Sequence, residues 1–222
     1  MQLALFDLDH TLIPLDSDHA WGEFTVRLGW RDADDFRRAN DGYYAAYKAG
    51  TLDIHDYVRF ATGAVRERGL AEGWRAHERF MAEVIRPAMT DVARALVRRH
   101  QDAGDTVVIV TATNAFVTRP IAQAFGVEHL IAIDLETDAQ GELTGAISGV
   151  PSFREGKVAR VEQWLAQRGL HWADLAHSTF YSDSMNDLPL LEKVHEPVAT
   201  NPDERLATLA QERGWRILNL FE

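Results

Sequence analysis

Residues 1–18 read MQLALFDLDHTLIPLDSD. Leu3, Ala4, Leu5 and Phe6 form a short apolar run that ends on Asp7 and, one residue further, Asp9. A short apolar run bounded by turn signals reads as a strand buried on both faces, and Pro14 marks the break after it. Carboxylates are costly to bury unless something pairs with them. On their own, Asp7 and Asp9 could be a strand-end turn with Asx hydrogen bonds. A buried strand that delivers two acids to its end otherwise requires partners from elsewhere in the chain.

From about Leu15 to Arg86 the texture changes. Trp21, Phe24, Val26 and Leu28, then Tyr43, Tyr44 and Tyr47, then Tyr57, Val58 and Phe60 recur at helical spacing among charged residues. The spacing predicts several amphipathic helices and no strand, with Gly50 and Gly69 as helix ends. After Pro87 strands and helices alternate. Asp91–Ala103 reads as a helix with Asp91 as N-cap, and the β-branched run Thr106–Val110 as a strand. Ala115–Phe125 reads as a helix, 130–135 as a strand, and Glu142–Ser148 as a small hairpin between Gly141 and Gly149. Lys157–Gln167 is a predicted helix, Thr179–Ser182 a strand and Leu188–Val194 a short helix. Late strands at Pro197–Thr200 and Arg216–Leu218 flank a helix over Glu204–Arg213. Such alternation predicts βαβ units, that is, an α/β fold with a doubly wound, Rossmann-like parallel sheet. The all-helical stretch 15–87 is then a cap inserted into a core made of 1–14 and 88–222.

The 222 residues are enough to bury a sizeable core. Apolar content of 46% and charged content of 26% are those of an ordinary globular chain. A net charge of −11 argues against a nucleic-acid partner, which requires a basic surface. There is no cysteine, which excludes disulfides and thiolate metal sites. No apolar run approaches the ~20 residues of a membrane span, and no secretory signal is visible. The expected location is the cytoplasm, with no membrane partner. The nine histidines are scattered, none at the helical spacing of a zinc site.

In open parallel sheets ligands bind beyond the carboxyl ends of the strands. Asp7 and Asp9 follow the first predicted strand, and Thr111, Ala112, Thr113 and Asn114 follow the second. Asp183, Asn186 and Asp187 follow a later one, and Lys157 opens a helix. Several carboxylates on one edge repel one another, and a hard divalent ion such as Mg²⁺ relieves that repulsion while keeping places for water and phosphate. One aspartate can then attack phosphorus and a second move the proton of the leaving oxygen. Thr111, free backbone N–H groups and Lys157 can stabilise the phosphoryl group.

These residues carry a resemblance. Asp7-Leu8-Asp9-His10-Thr11 resembles the DxDxT signature of the haloacid dehalogenase superfamily. Val107–Thr111 is similar to its second motif, Lys157 to its motif-three lysine, and Tyr181–Asp187 to its last, acidic motif. The four occur in the family's order across the whole chain, and the helical insertion resembles the cap of the phosphoserine phosphatase-like branch. The resemblance implies Asp7 as nucleophile and Asp9 as acid/base. It implies Mg²⁺ held by Asp7, the Asp9 carbonyl and Asp183, and phosphate held by Thr111, the Ala112 position and Lys157. Asn186 and Asp187 become supporting residues.

The chain also departs from the pattern. Ser182 stands where many relatives have glycine, and Thr111-Ala112-Thr113 where many phosphoserine phosphatases have Ser-Gly-Gly. The extra side chains are expected to narrow the phosphate pocket. Asp16 falls where phosphoserine phosphatases place a glutamate for the substrate amine, whereas their carboxylate-binding arginine falls near Ala61, with Arg59 offset. The expected activity is Mg²⁺-dependent hydrolysis of a small phosphorylated metabolite. Asp16 and the other acids of the helical stretch hint at an amine or imidazole on it, as in phosphoserine or histidinol phosphate. His10 and His19 lie near the proposed site and can touch such a substrate. The aromatics of the helical stretch read as helix-packing residues, with Trp21 singled out because it follows the Asp16–His19 stretch that should face the site. A phosphotransferase, or less readily a non-catalytic phosphate-binding protein, is the alternative.

Overall fold

β1 (Gln2–Phe6) occupies the middle of a six-stranded sheet. The fold is taken from a computed structural model that describes residues 1–221, apart from the side chain of Lys48. β1 is flanked by β2 (Thr106–Asn114) and β6 (His177–Ser182). β3 (His129–Ile133) lies outside β2, and β7 (Glu196–Thr200) and β8 (Arg216–Leu218) lie outside β6. The order is β3-β2-β1-β6-β7-β8 and all pairings are parallel. This is the doubly wound α/β architecture that the alternation predicts.

β1 is apolar throughout because both of its faces are covered, as parallel sheets require. Leu3 and Leu5, with Val108, Val110 and Phe180, face α9 (Glu155–Ala166) and α10 (Leu188–Leu191) together with α11 (Glu204–Arg213). Ala4 and Phe6, with Val107, Ile109 and Tyr181, face α7 (Asp91–Asp102) and α8 (Ala115–Ala124). Phe6 pairs with Ile109 on one side and with Tyr181 on the other. Asp7 therefore leaves the sheet at the level of Val110 and Ser182, and the Asp7 N–H donates to the Tyr181 carbonyl at 2.9 Å.

Between β1 and α7 the chain is helical: α1 (Ser17–Arg27), α2 (Ala33–Ala49), α3 (Ile54–Ala61), α4 (Gly63–Arg68) and α5 (Leu70–Phe80). A π-helical turn, Met81–Ile85, carries α5 into α6 (Arg86–Ala88). The helix thus runs past Pro87 and ends at Met89 instead of stopping before the proline. Gly50 ends α2 in the left-handed conformation, as its position suggests. α1 packs on α8 and β2. Trp21 is 2% exposed and lies among Phe24, His77, Phe80 and Phe116, so it is a core residue and not a substrate contact.

Two local expectations are corrected. The predicted strand over 130–135 divides at Asp134, whose carboxylate is held by Arg160 at 2.6 Å. The hairpin then pairs β4 (Leu135–Thr137) with β5 (Leu143–Ile147), instead of folding within Glu142–Ser148. β5 packs under α3 and α4, and Glu142 accepts from the Leu70 N–H at 2.6 Å. β2 continues four residues past Val110, with a register irregularity against β3 between Val110 and Asn114. Among the described residues no helix is long and apolar enough to cross a membrane.

Candidate active site

The chain leaves β1 in a tight turn. The Thr11, Leu12 and Ile13 N–H groups all point at the Leu8 carbonyl, at 3.3, 2.8 and 3.2 Å. His10 takes a positive φ of 55°, which is uncommon for a residue with a side chain. Asn201 holds that conformation by donating to the His10 and Thr11 carbonyls at 2.8 and 3.3 Å. The His10 ring is exposed, and His19 is an exposed residue of α1 whose ring stacks on Phe36.

Asp7 is 7% exposed and Lys157 2%. Lys157 Nζ donates to Asp7 Oδ1 at 2.8 Å and to Asp187 Oδ2 at 2.7 Å. Burial alone would lower the Lys157 pKa, but the two carboxylates hold the ammonium well above its usual range. Burial pushes Asp187 up to about 6 against the pull of Lys157. Its Oδ2 also accepts from the Ser182 hydroxyl at 2.7 Å. The Thr11 hydroxyl lies 3.5 Å from Asp7 Oδ2 and 3.4 Å from Asp183 Oδ1, long contacts for a hydroxyl. Its oxygen accepts from the Asp183 N–H at 3.1 Å. Having one proton, Thr11 can donate to one carboxylate at a time. Burial, then Asp7 and Asp187, push the Asp183 carboxyl well above the ordinary range.

Asp9 is held differently. Its Oδ1 accepts from the Ser17 N–H at 2.8 Å and its Oδ2 from the Thr113 hydroxyl at 2.7 Å. Burial, then Asp16, then Asp7 push it up to about 8, while the two donors pull in the opposite direction. Asp16 is the N-cap of α1, accepting from the Asp18 and His19 N–H groups at 3.0 and 2.9 Å. Asp18 is itself buried, accepts from Asn114 Nδ2 at 3.2 Å and is pushed up to about 7, chiefly by burial and then by Asp16.

The Thr111 oxygen accepts from the Thr113 N–H at 3.1 Å, and the Thr111 carbonyl accepts from Ser152 at 2.6 Å. Ala112, between them, is half-buried. The Asn186 N–H donates to Ser184 Oγ at 3.2 Å, and the same hydroxyl meets Tyr47 of α2 at 3.2 Å. Asp7, Asp9, Thr111, Lys157, Asp183 and Asp187 are thus gathered at the carboxyl ends of β1, β2 and β6. Several other acids of the helical stretch have local partners. Asp32 and Asp53 cap α2 and α3, and Asp34, Asp35 and Asp56 pair with Arg37, Arg38 and Arg59. These five acids are therefore no argument for a cationic substrate.

Sequence reasoning missed Ser17, Thr113, Ser182, Ser152 and Tyr47. Thr113 and Ser182 stood out as departures, but their hydroxyls turn onto Asp9 and Asp187. Among the described residues no three His, Cys, Asp or Glu side chains form a ready metal cluster. The donor set suits a hard cation nonetheless. Mg²⁺ needs few protein carboxylates and keeps several waters. Asp7, Asp183 and the Asp9 carbonyl offer hard oxygens, and Asp183 carries repulsion that the single ammonium does not cancel.

A parallel sheet with a DxDxT turn, a buried lysine and an acidic last loop at one edge defines the class. The haloacid dehalogenase-like hydrolase family matches residues 4–192, and the chain belongs to that family. Within it, the chain is an enzyme of the phosphatase type. It is 43% identical over 217 residues to a histidinol-phosphatase of Neisseria meningitidis serogroup C, covering 98% of each chain. A structure of a Bordetella pertussis Tohama I protein, described as of unknown function, superimposes with a TM-score of 0.94. It is 52% identical, with 99% of each chain covered. A substrate-bound phosphoserine phosphatase shares the fold at a TM-score of 0.67 and 18% identity, over 97% of this chain and 91% of that one.

Proposed function

We propose that this chain hydrolyses a small phosphomonoester in a Mg²⁺-dependent reaction through an aspartyl-phosphate on Asp7. The observation that carries the reading is the contrast between Asp7 and Asp9. Asp7 is paired with a permanent cation, Lys157, at 2.8 Å, as an ionised nucleophile requires. Among the described residues, Asp9 accepts from two uncharged donors, the Ser17 N–H at 2.8 Å and the Thr113 hydroxyl at 2.7 Å, and has no cation bonded to it, as a group that carries a proton requires. A cation beside one carboxyl group and neutral donors on the other suit a nucleophile and a proton carrier.

In this reading an Asp7 oxygen forms a bond to phosphorus, the ester P–O bond breaks, and Asp9 gives its proton to the leaving oxygen. Asp9 then takes a proton from water as the water oxygen attacks phosphorus. The acyl-phosphate P–O bond breaks, releasing inorganic phosphate and restoring Asp7. Lys157, Thr111 and the backbone near Ala112 hold the phosphoryl oxygens. Asp187 orients Lys157, and Asn186 supports the loop. Mg²⁺, held by Asp7, the Asp9 carbonyl and Asp183, would neutralise charge on the transferring group. The helical stretch 15–87 serves as a cap over a core of 1–14 and 88–222.

Histidinol phosphate is the first substrate to test, because the Neisseria relative is named for it and spans the same length. Asp16 and Asp18, beside Asp9, suit an amine or imidazole on the leaving alcohol. The experiment is phosphate release from histidinol phosphate, phosphoserine and neutral sugar phosphates, with Mg²⁺ or chelator, by wild type and Asp9→Asn. The expected result is Mg²⁺-dependent turnover, fastest on histidinol phosphate, with a loss of about 10²–10⁴ in the variant. A folded wild type that releases phosphate from no ester in Mg²⁺ overturns the reading.

A further inference from the structure

Thr113 lies on the stretch of β2 beyond the register irregularity, and it is buried. Its N–H donates to Thr111 Oγ1 at 3.1 Å, which ties its backbone to the residue expected to touch phosphate. Its hydroxyl donates to Asp9 Oδ2 at 2.7 Å, a contact between residues 104 positions apart. Strand propensity accounts for a threonine here, but not for where its hydroxyl proton goes. The opposite Asp9 oxygen is held at 2.8 Å by the Ser17 N–H, from the first turn of α1. One carboxyl group is thus gripped from two sides by two unconnected segments.

We propose that Thr113 is a positioning residue for Asp9, setting the plane of its carboxyl group for proton transfer with the ester's leaving oxygen. The inference rests on Asp9 being the acid/base of the reaction. A carboxyl group turns about a broad, two-fold terminal torsion, and a single donor at Oδ1 leaves that rotation open. A second donor at Oδ2 closes it. Each oxygen keeps a further lone pair, so the grip leaves Asp9 able to carry the proton. Misplacement of a reacting group by about 1 Å can cost roughly 10²-fold in rate.

The pattern also explains why a side chain stands where the phosphoserine phosphatase-like branch often has glycine. The hydroxyl does not narrow the phosphate pocket, because it is turned onto Asp9. Ser17 makes the grip depend on α1 as well. Displacement of the first turn of α1 would free Oδ1, so the inserted helices and the proton carrier are mechanically linked through one N–H group.

The test compares Thr113→Val, Thr113→Ala and Thr113→Ser with wild type on two substrates that the wild type hydrolyses. One is an alkyl phosphomonoester, whose leaving group needs a proton, and the other is p-nitrophenyl phosphate, whose leaving phenolate does not. Loss of the hydroxyl is expected to lower kcat on the alkyl ester about 10–100-fold, with KM within about threefold. The pre-steady-state burst of p-nitrophenol is expected to persist, because enzyme phosphorylation from that ester needs no acid. Steady-state turnover slows, because Asp9 must still activate water. Thr113→Ser restores most of the alkyl-ester rate. Thr113→Ala carries the same expectation if Thr113→Val does not fold.

A purely structural role would lower the burst and the alkyl-ester rate in parallel, and that result overturns the proposal. So does an alkyl-ester rate in folded Thr113→Val or Thr113→Ala equal to wild type, or a Thr113→Ser variant that rescues nothing. Since every comparison is made against an active wild type, failure here is distinct from failure of the phosphatase reading, in which the wild type itself releases no phosphate.

Discussion

The Ser182 hydroxyl donates to Asp187 Oδ2 at 2.7 Å, the same oxygen that accepts from Lys157 Nζ at 2.7 Å. Ser182 Oγ in turn accepts from the Ser184 N–H at 3.2 Å. One buried side chain therefore fixes both the carboxylate that orients the lysine and the start of the loop that carries it. Ser182→Ala removes a donor and an acceptor without adding bulk. The expected cost is about 1–3 kcal/mol of stability, with kcat/KM lowered several-fold. Denaturant unfolding and steady-state phosphate release check both. A variant of unchanged stability would show that Asp187 does not depend on Ser182.

Among the described residues, Lys157 is the one cation bonded to Asp7 and Asp187. Lys157→Met leaves both acids buried without it, and removing one partner of a buried pair typically costs about 3–5 kcal/mol. Loss of a charge that stabilises a transferring phosphoryl group lowers kcat by about 10²–10³-fold. The expectation is a folded but weakened protein that is nearly inactive. Circular dichroism with phosphate-release kinetics decides the matter, and activity within tenfold of wild type would remove Lys157 from the chemistry.

Tyr47 connects α2 to the last acidic loop through Ser184 at 3.2 Å. Burial, opposed by bonds to Ser184 and Asn186, pushes the Tyr47 hydroxyl up to about 12, so it stays protonated throughout the working pH range. Tyr47→Phe deletes one neutral hydrogen bond, worth about 1 kcal/mol. If catalysis requires α2 seated on that loop, kcat/KM falls about fivefold, the equivalent of that energy. Unaltered kcat/KM would mean that the contact has no part in forming the site.

His77 is buried against the Val117 carbonyl at 2.9 Å, and burial pushes it down to about 4. An unfolded histidine titrates near 6.5. The folded state therefore resists protonation, so the stability His77 allows is complete above pH ~6.5 and is lost as pH falls toward 4. The linkage slope reaches about 1.4 kcal/mol per pH unit, or roughly 3 kcal/mol across that window. Asp9, Asp18 and Asp187 act in the opposite sense, because burial raises them. The difference between wild type and His77→Gln isolates the histidine. Urea midpoints from pH 7 to 4.5 should fall more steeply for wild type, and parallel curves would refute the assignment.

The strands of the core were legible because buried parallel strands are short apolar or β-branched runs, as in Leu3–Phe6 and Thr106–Val110. Topology then places the residue after each strand on a common edge, which is how Asp7, Thr111 and Asp183 could be associated from order alone. The end of β2 was not legible, because Thr111-Ala112-Thr113-Asn114 has the composition of a loop as much as of a strand. The β4–β5 pairing was missed because Asp134, a bend held by distant Arg160, divides one apolar run into two strands. The role of Trp21 stays open in the sequence because local periodicity does not say which helix face meets α8. The grips on Asp9 and Asp187 escaped for a different reason. Thr113 and Ser182 were visible as departures, but hydrogen-bond direction is a tertiary property, and the Ser17 donor is a backbone group common to every residue but proline.

The central place of β1 has a consequence for how the chain is made. Gln2–Phe6 must wait more than a hundred residues for β2 and about 170 for β6, while α3 and α4 leave the ribosome long before the strand β5 that packs on them. Pairings so distant in sequence are slow to form. Any product that stops before His177 would expose one side of an apolar strand, a ready template for pairing with another chain. The strand that ends on Asp7 is thus made well before the two strands that flank it and is enclosed only after β6 has been synthesised, so a chain interrupted between them carries an unpaired apolar edge.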